Sequence, residues 1–129
     1  MKGIPKFLSE VKLTFDDGTQ LRAKLYDTEC ARGIYETLPV EAEINKWGDE
    51  FYFSIPYKYD LDETATEDVD IGDIGWWPPG NAIAIFFGPT PISRDEKPKP
   101  ASSVNLIGKL IDDPKVLKKV RSKRIRIIK

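Results

Sequence analysis

Gly72-Asp73-Ile74-Gly75-Trp76-Trp77-Pro78-Pro79-Gly80 is the stretch on which the fold turns. Residues 71 to 77 read as a strand, because side chains that alternate between faces put Ile74 and Trp76 on one side and Gly75 with Trp77 on the other. Pro78-Pro79-Gly80-Asn81 then forces a turn, since proline fixes φ and removes a ladder donor. Ala82 to Phe87 follows as an apolar run bounded by turn residues, the pattern of a buried strand. Strand, tight turn and buried strand together predict a β-rich protein.

The flanking sequence extends that pattern. Downstream, residues 88 to 103 hold four prolines among Gly, Ser and charged residues and read as one long ordered loop. Val104 to Ile111 is a strand. Asp113 caps a short helix with Pro114 at its first position and an apolar stripe of Val116, Leu117 and Val120. Lys123 to Lys129 closes the chain with the alternating Arg124-Ile125-Arg126-Ile127. Upstream, Val11 to Phe15 and Thr19 to Tyr26 flank Asp16-Asp17-Gly18, a hairpin signal. In residues 27 to 38, Cys30, Ile34 and Leu38 make one helical stripe, with Asp27 or Thr28 as N-cap and Pro39 as the stop. Glu41 to Asn45 and Glu50 to Ile55 read as strands about a turn at residues 46 to 49, and the acidic stretch 60 to 70 as a surface loop. About eight strands and two short helices, without repeats or a domain boundary, predict one domain over residues 1–129. A mainly all-β chain of this kind is best satisfied by a closed eight-stranded barrel, since closure removes exposed edges.

Bulk properties exclude several classes of function. The 129 residues are 40% hydrophobic and 32% charged with a net charge of −1, which fits a globular domain rather than a disordered or polyanion-binding one. No apolar run approaches the roughly 18 residues of a bilayer span, and the first ten residues lack the apolar centre of a secretory signal. The expectation is a cytoplasmic protein with no membrane association. A lone Cys30 cannot form an internal disulfide, and the absence of histidine removes the commonest general base and metal ligand. One Gln and three Asn, beside many Lys, Glu and loop prolines, lean towards a thermophilic source.

Phe86-Phe87, the run Val104 to Ile111 and the short Val-Leu-Lys-Lys-Val helix after it resemble the cyclophilins. Those proteins carry a Gln-Phe-Phe-Ile strand, then Val-Val-Phe-Gly-Lys-Val, then a helix ending near Val-Lys-Lys. Ala23-Lys24-Leu25-Tyr26 is similar to their Ile-Glu-Leu-Phe strand, and Phe51 to Pro56 to their Phe-His-Arg-Ile-Ile-Pro. A closer resemblance is to the compact, uncharacterised cyclophilin-like proteins of bacteria and archaea. It rests on Trp47-Gly48-Asp49-Glu50-Phe51-Tyr52-Phe53, on Gly72 to Gly80, and on Phe86-Phe87-Gly88-Pro89-Thr90-Pro91 with Pro100 to Asn105. Across residues 11 to 128 this implies an eight-stranded cyclophilin-like barrel capped by two helices.

Cyclophilins isomerise X-Pro bonds without a nucleophile: a guanidinium hydrogen-bonds the twisted amide and weakens its resonance against a barrier of about 20 kcal/mol. Aligned on Ile55-Pro56, the position of that Arg is Phe53 here, while the groove His falls on Val104 and the groove Gln on Ile85. A phenyl ring supplies no charge-assisted donor. Arg94, in the long loop, is the one candidate to enter from another direction. The resemblance with strand alternation implies a groove of Phe53, Trp77 and Phe87, Phe86 pointing into the barrel, with Tyr57 or Tyr59 at the rim. Thr90, Ser102, Ser103 and Asn105 would add polar contacts. Two readings stand for Trp77, groove residue or barrel plug, and two for Asn105, ligand-facing amide or backbone tie. Trp76 reads as core.

The resulting expectation is a peptide- or small-ligand-binding module with no catalytic residue. The alternative is a weak peptidyl-prolyl isomerase or chaperone-like protein. A third class is a small-molecule enzyme using Glu50 or an Asp near the groove. The acidic stretch lacks the spacing and central Gly of an EF-hand, so no metal is expected. The eight basic residues between Lys115 and Lys129 lie on a helix face and a strand face without interleaved aromatics, so no nucleic acid is expected. No cofactor motif is present, and no residue pattern bears on oligomeric state. Cys30, on an apolar stripe with no activating His, reads as inert.

Overall fold

In the computed structural model, which describes residues 6–129, Gly18 adopts a φ of 91° and turns β1 (Phe7–Phe15) back along β2 (Gln20–Tyr26). Such a φ is open to glycine at no steric cost. The stretch Met1 to Pro5, read above for a leader, lies outside the described residues. Strand β1 begins four residues earlier than its apolar pattern suggested, because a bulge between Phe7 and Ser9 lets the amphipathic start pair with Leu25 and Tyr26. Thr28 caps α1 (Glu29–Thr37) by accepting from the Ala31 N–H at 3.2 Å, and Cys30, Ala31 and Ile34 face inward.

The remaining strands are β3 (Val40–Glu43), β4 (Asn45–Lys46), β5 (Glu50–Ser54), β6 (Ala65–Thr66), β7 (Asp73–Trp77), β8 (Ala82–Phe86), β9 (Val104–Leu110) and β10 (Arg124–Ile128). Eight have four residues or more; β4 and β6 have two each. The antiparallel order is β3-β10-β1-β2-β9-β7-β8-β5-β4. The order begins and ends on one stretch of chain. Residues 40 to 43 pair with β10, and residues 45 and 46 pair with Tyr52 and Phe51 of β5. A partner switch at Ile44 thereby draws the sheet into a nearly closed barrel.

The interior is filled from the eight longer strands by side chains such as Leu13, Leu21, Val40, Phe53, Trp76, Ile83, Ile85, Ile107 and Ile125. Ile34 and Leu38 of the α1 segment close one end. Two local expectations are corrected. The acidic stretch is not wholly loop, since β6 pairs Ala65 and Thr66 with Asn105 and Val104. The second helix is 3₁₀ over Pro114–Lys119, capped by Asp113 as expected. Its period of three buries Leu117 and Val120 but turns Val116 outward, 41% exposed.

Candidate functional site

The outer face of β5, β7 and β8 carries a second, smaller apolar cluster. Period-2 alternation sends Ile83 and Ile85 inward and Ala84 and Phe86 outward, where they meet Val69 and Val104 with Tyr52, Trp77 and Leu106 packed against them. Cross-strand pairing sets Glu50 opposite Phe86 and Tyr52 opposite Ala84. On the other side of β8, Gly75 pairs with Ala84 and Trp77 with Ala82. At Gly75 a side chain would collide with the next strand, because a Cβ there falls 2.7 Å from Val104 Cγ2. That close approach lets Val104 reach the outer surface beside Ala84.

These residues line a pocket of about 260 Å³. Ala84, Phe86 and Val104 form its apolar floor; Trp47, Tyr52 and Trp77 form aromatic walls; Pro100 and Ala101 of the long loop lie across it; and Glu50 supplies a carboxylate. Trp77 is held in place by three neighbours. Its Nε1–H donates to Ser102 Oγ at 2.7 Å, and its ring meets Tyr52 edge-on, centroids 6.4 Å apart. Gly80 lies under the same ring, where a Cβ would come within 2.9 Å of Cζ3. The Pro-Pro-Gly turn, a 3₁₀ turn over Pro78–Gly80, therefore needs its glycine for the ring to fold back.

Glu50 is the unusual group. It is only 7% exposed, and its Oε1 has no hydrogen-bond partner. An ionised carboxylate in apolar surroundings loses its hydration, so burial pushes Glu50 up to about 7. Among the described residues no cation offsets that burial. Arg94, the guanidinium considered for the groove, is exposed and lines a separate polar cleft with Glu67, Asp68, Asp95, Lys97 and Lys99.

Of the residues expected in the groove, the structure brings Trp77 to the pocket and Ser102 to its edge. Phe53 and Phe87 instead lie inside the barrel, 0% and 1% exposed, with Phe87 against Phe51 at 4.7 Å between centroids. Phe86, expected inside, lines the pocket. Each is displaced by one residue of strand parity, which exchanges the two faces of a sheet. Tyr57 and Tyr59 stack on each other 6.1 Å apart beside the barrel core, where Trp76 donates to the Tyr59 carbonyl at 2.9 Å. Thr90 is buried, its Oγ1 donating to the Lys99 carbonyl at 2.6 Å, and so staples the long loop. Ser103 faces a shallow depression with Asp60, Leu61, Pro78 and Pro79. Asn105 is fully buried and ties down the residue 60–62 segment: Nδ2 donates to the Asp60 carbonyl and Oδ1 accepts from the Asp62 N–H, both at 2.9 Å. Sequence reasoning missed Trp47, Tyr52 and Phe86 as pocket residues. The signal available was Glu50, the acid heading the Glu-Phe-Tyr-Phe run, which fixes the outward parity of β5.

A family model described as cyclophilin-like matches residues 9–128. The chain belongs to the cyclophilin-like family. The solution structure of a hypothetical protein from Archaeoglobus fulgidus is similar to this cyclophilin-like chain with a TM-score of 0.79 and 33% identity, covering 99% of this chain and 98% of that one. McbB, solved in complex with tryptophan, is similar with a TM-score of 0.68 and 14% identity; the match covers 92% of this chain and 44% of McbB, a likeness of fold alone. No curated protein matches.

Elsewhere the cyclophilin-like chain carries charge in pairs. Lys97 bridges Asp68 and Asp70, and Lys99 bridges Glu67 at 3.6 Å, so the basic part of the long loop clasps the acidic stretch. Among the described residues no three His, Cys, Asp or Glu side chains converge in a way that would hold a metal ion. Nor, among them, is any helix long and apolar enough to cross a membrane. Cys30 is buried, and burial pushes its thiol up to about 12.

Proposed function

We propose that this cyclophilin-like domain is a binding module whose outer-face pocket takes one ring or side chain of a small ligand or peptide. The observation that carries the reading is the preformed pocket of about 260 Å³ walled by Trp47, Tyr52 and Trp77. Ligand sites are typically about 300 to 1,000 Å³, apolar, with a few placed polar groups. A site just below that range suits a single ring with its substituents rather than a dinucleotide. The acidic Glu50 and the lack of Lys or Arg in the lining disfavour phosphate. The same lack removes the donor on which guanidinium-assisted prolyl isomerisation depends.

The test is a titration of the wild type and Trp77→Ala with a fragment set and an X-Pro tetrapeptide, followed by amide and indole NMR shifts. Binding confined to the pocket and weakened at least tenfold by Trp77→Ala is expected, with a stability loss of about 2 kcal/mol for a half-buried Trp. Unchanged binding in that variant refutes the assignment. A protease-coupled assay run alongside is expected to show no acceleration of X-Pro isomerisation; acceleration that disappears in Trp77→Ala would replace this reading with the isomerase one.

A further inference from the structure

We propose that the ligand of this pocket carries a small organic ammonium group, seated among the rings of Trp47, Tyr52, Trp77 and Phe86 with the Glu50 carboxylate as counter-charge. The inference rests on the binding reading above and names the chemistry of the occupant. Two independent features support it. Aromatic rings present their negative faces to cations, and a cage of several rings is the arrangement that holds alkylated ammonium ions. Four of the nine lining residues are aromatic. Separately, Glu50 lies against this apolar space with Oε1 buried and unpartnered. A buried polar atom without a partner is costly, and a nearby positive charge stabilises the ionised carboxylate even without donating a hydrogen bond.

A structural role for Glu50 would leave a bond or an ion pair as its signature. Neither is formed at Oε1, and the nearest acidic neighbour along the chain, Asp49, is already paired with Lys118 at 3.7 Å. Among the described residues no charged side chain offsets the burial of Glu50, and the other residues lining its pocket are all uncharged: Trp47 and Tyr52 near it in sequence, Ala84 and Phe86 of β8, Trp77 of β7, and Pro100, Ala101 and Val104. Burial raises Glu50 to about 7, a departure that an ammonium seated beside Oε1 would reverse. Cation uptake near neutral pH is therefore linked to release of a proton.

The decisive comparison is choline against its uncharged isostere 3,3-dimethylbutan-1-ol, by NMR titration at pH 8 and pH 5.5. Choline is expected to bind the wild type at pH 8 at least tenfold more tightly than the isostere. It should weaken more than tenfold at pH 5.5, where Glu50 is protonated and little of the competent state remains. Glu50→Gln, which keeps the shape of the protonated side chain, should lose most of the preference for choline over the isostere and all of its pH dependence, the rings alone supplying what remains; a preference as large and as pH-dependent as that of the wild type overturns the role of Glu50. Equal binding of the two compounds by the wild type at pH 8 overturns the ammonium assignment while leaving an apolar binding pocket intact. No saturable binding of either overturns it as well, and the binding reading is then decided by the fragment titration. A short peptide bearing trimethyllysine, run as a third ligand, separates sources: tighter than choline points to a protein-borne ammonium, weaker to a free small molecule.

Discussion

Replacing Glu50 by Gln removes a buried charge and keeps the side chain's shape, so its effect on stability follows from protonation alone. In the unfolded chain this carboxyl titrates near 4.5, and in the folded barrel near 7, because burial strips the ionised form of water. Between those values the native state holds a proton that the unfolded state has lost. Stability from this group is thus fully present below about pH 4.5 and is lost as pH rises through 7. A displacement of that size corresponds to about 3 kcal/mol at 1.36 kcal/mol per unit. Glutamine carries no such dependence. Thermal unfolding of both proteins at pH 5 and pH 8 is the assay. Near pH 5 the melting temperatures should be close; at pH 8 Glu50→Gln should melt higher, by something on the order of 10 °C for a domain of this size. Taking the difference between the proteins cancels the other carboxylates, such as Asp17 and Asp112, which shift downward and act with the opposite sign. A difference that is flat with pH, or that grows towards acid, refutes the picture of Glu50 as a dry, unpaired carboxylate.

Two further outcomes bear on the scaffold. Asn105→Ala should cost roughly 2 to 4 kcal/mol in chemical denaturation, because it leaves the Asp60 carbonyl and the Asp62 N–H without their partner, yet pocket binding in the surviving fold should be unaltered. Cys30, with its thiol raised to about 12 in a buried site, should resist a thiol-specific disulfide reagent in the native protein at pH 8 and react fully in denaturant; rapid native labelling would contradict its burial.

The strands of this barrel are legible in the sequence because each is announced locally. Asp-Asp-Gly turns the first hairpin, Pro-Pro-Gly-Asn the one between β7 and β8, and Arg-Ile-Arg-Ile writes its own alternation. What alternation resolves less well is which face is which when both neighbours are aromatic. Phe51-Tyr52-Phe53 and Phe86-Phe87 offer no polar contrast, and an alignment on Ile55-Pro56 slips by one residue without any penalty visible in sequence. That slip put Phe53 outside, and the same one-residue ambiguity in the Phe-Phe match put Phe87 outside and Phe86 inside. It also means that an arginine introduced at position 53 would enter the barrel interior, where an unpaired charge is not tolerated. Alternation separates Trp76 from Trp77, and the cyclophilin resemblance supplies which of the two faces outward. The polar residues were harder, since a Thr or Asn in a loop satisfies a distant backbone group as readily as a ligand. Thr90 and Asn105 both do so here. Strand β6 has two residues, too few to carry any period, and the single 3₁₀ turn of apolar spacing around Leu117 differs little from an α-helical one.

The partner switch at Ile44 has a consequence for recognition. One stretch of chain completes the ladder of β10 and then that of β5, so the ring offers little unpaired backbone along its long strands. A peptide arriving at such a surface cannot dock by lengthening the sheet, the route by which open-edged domains read main chain irrespective of sequence. On the proposed reading, selectivity is left to side chains, and so to the chemistry of the small recess beside Trp77.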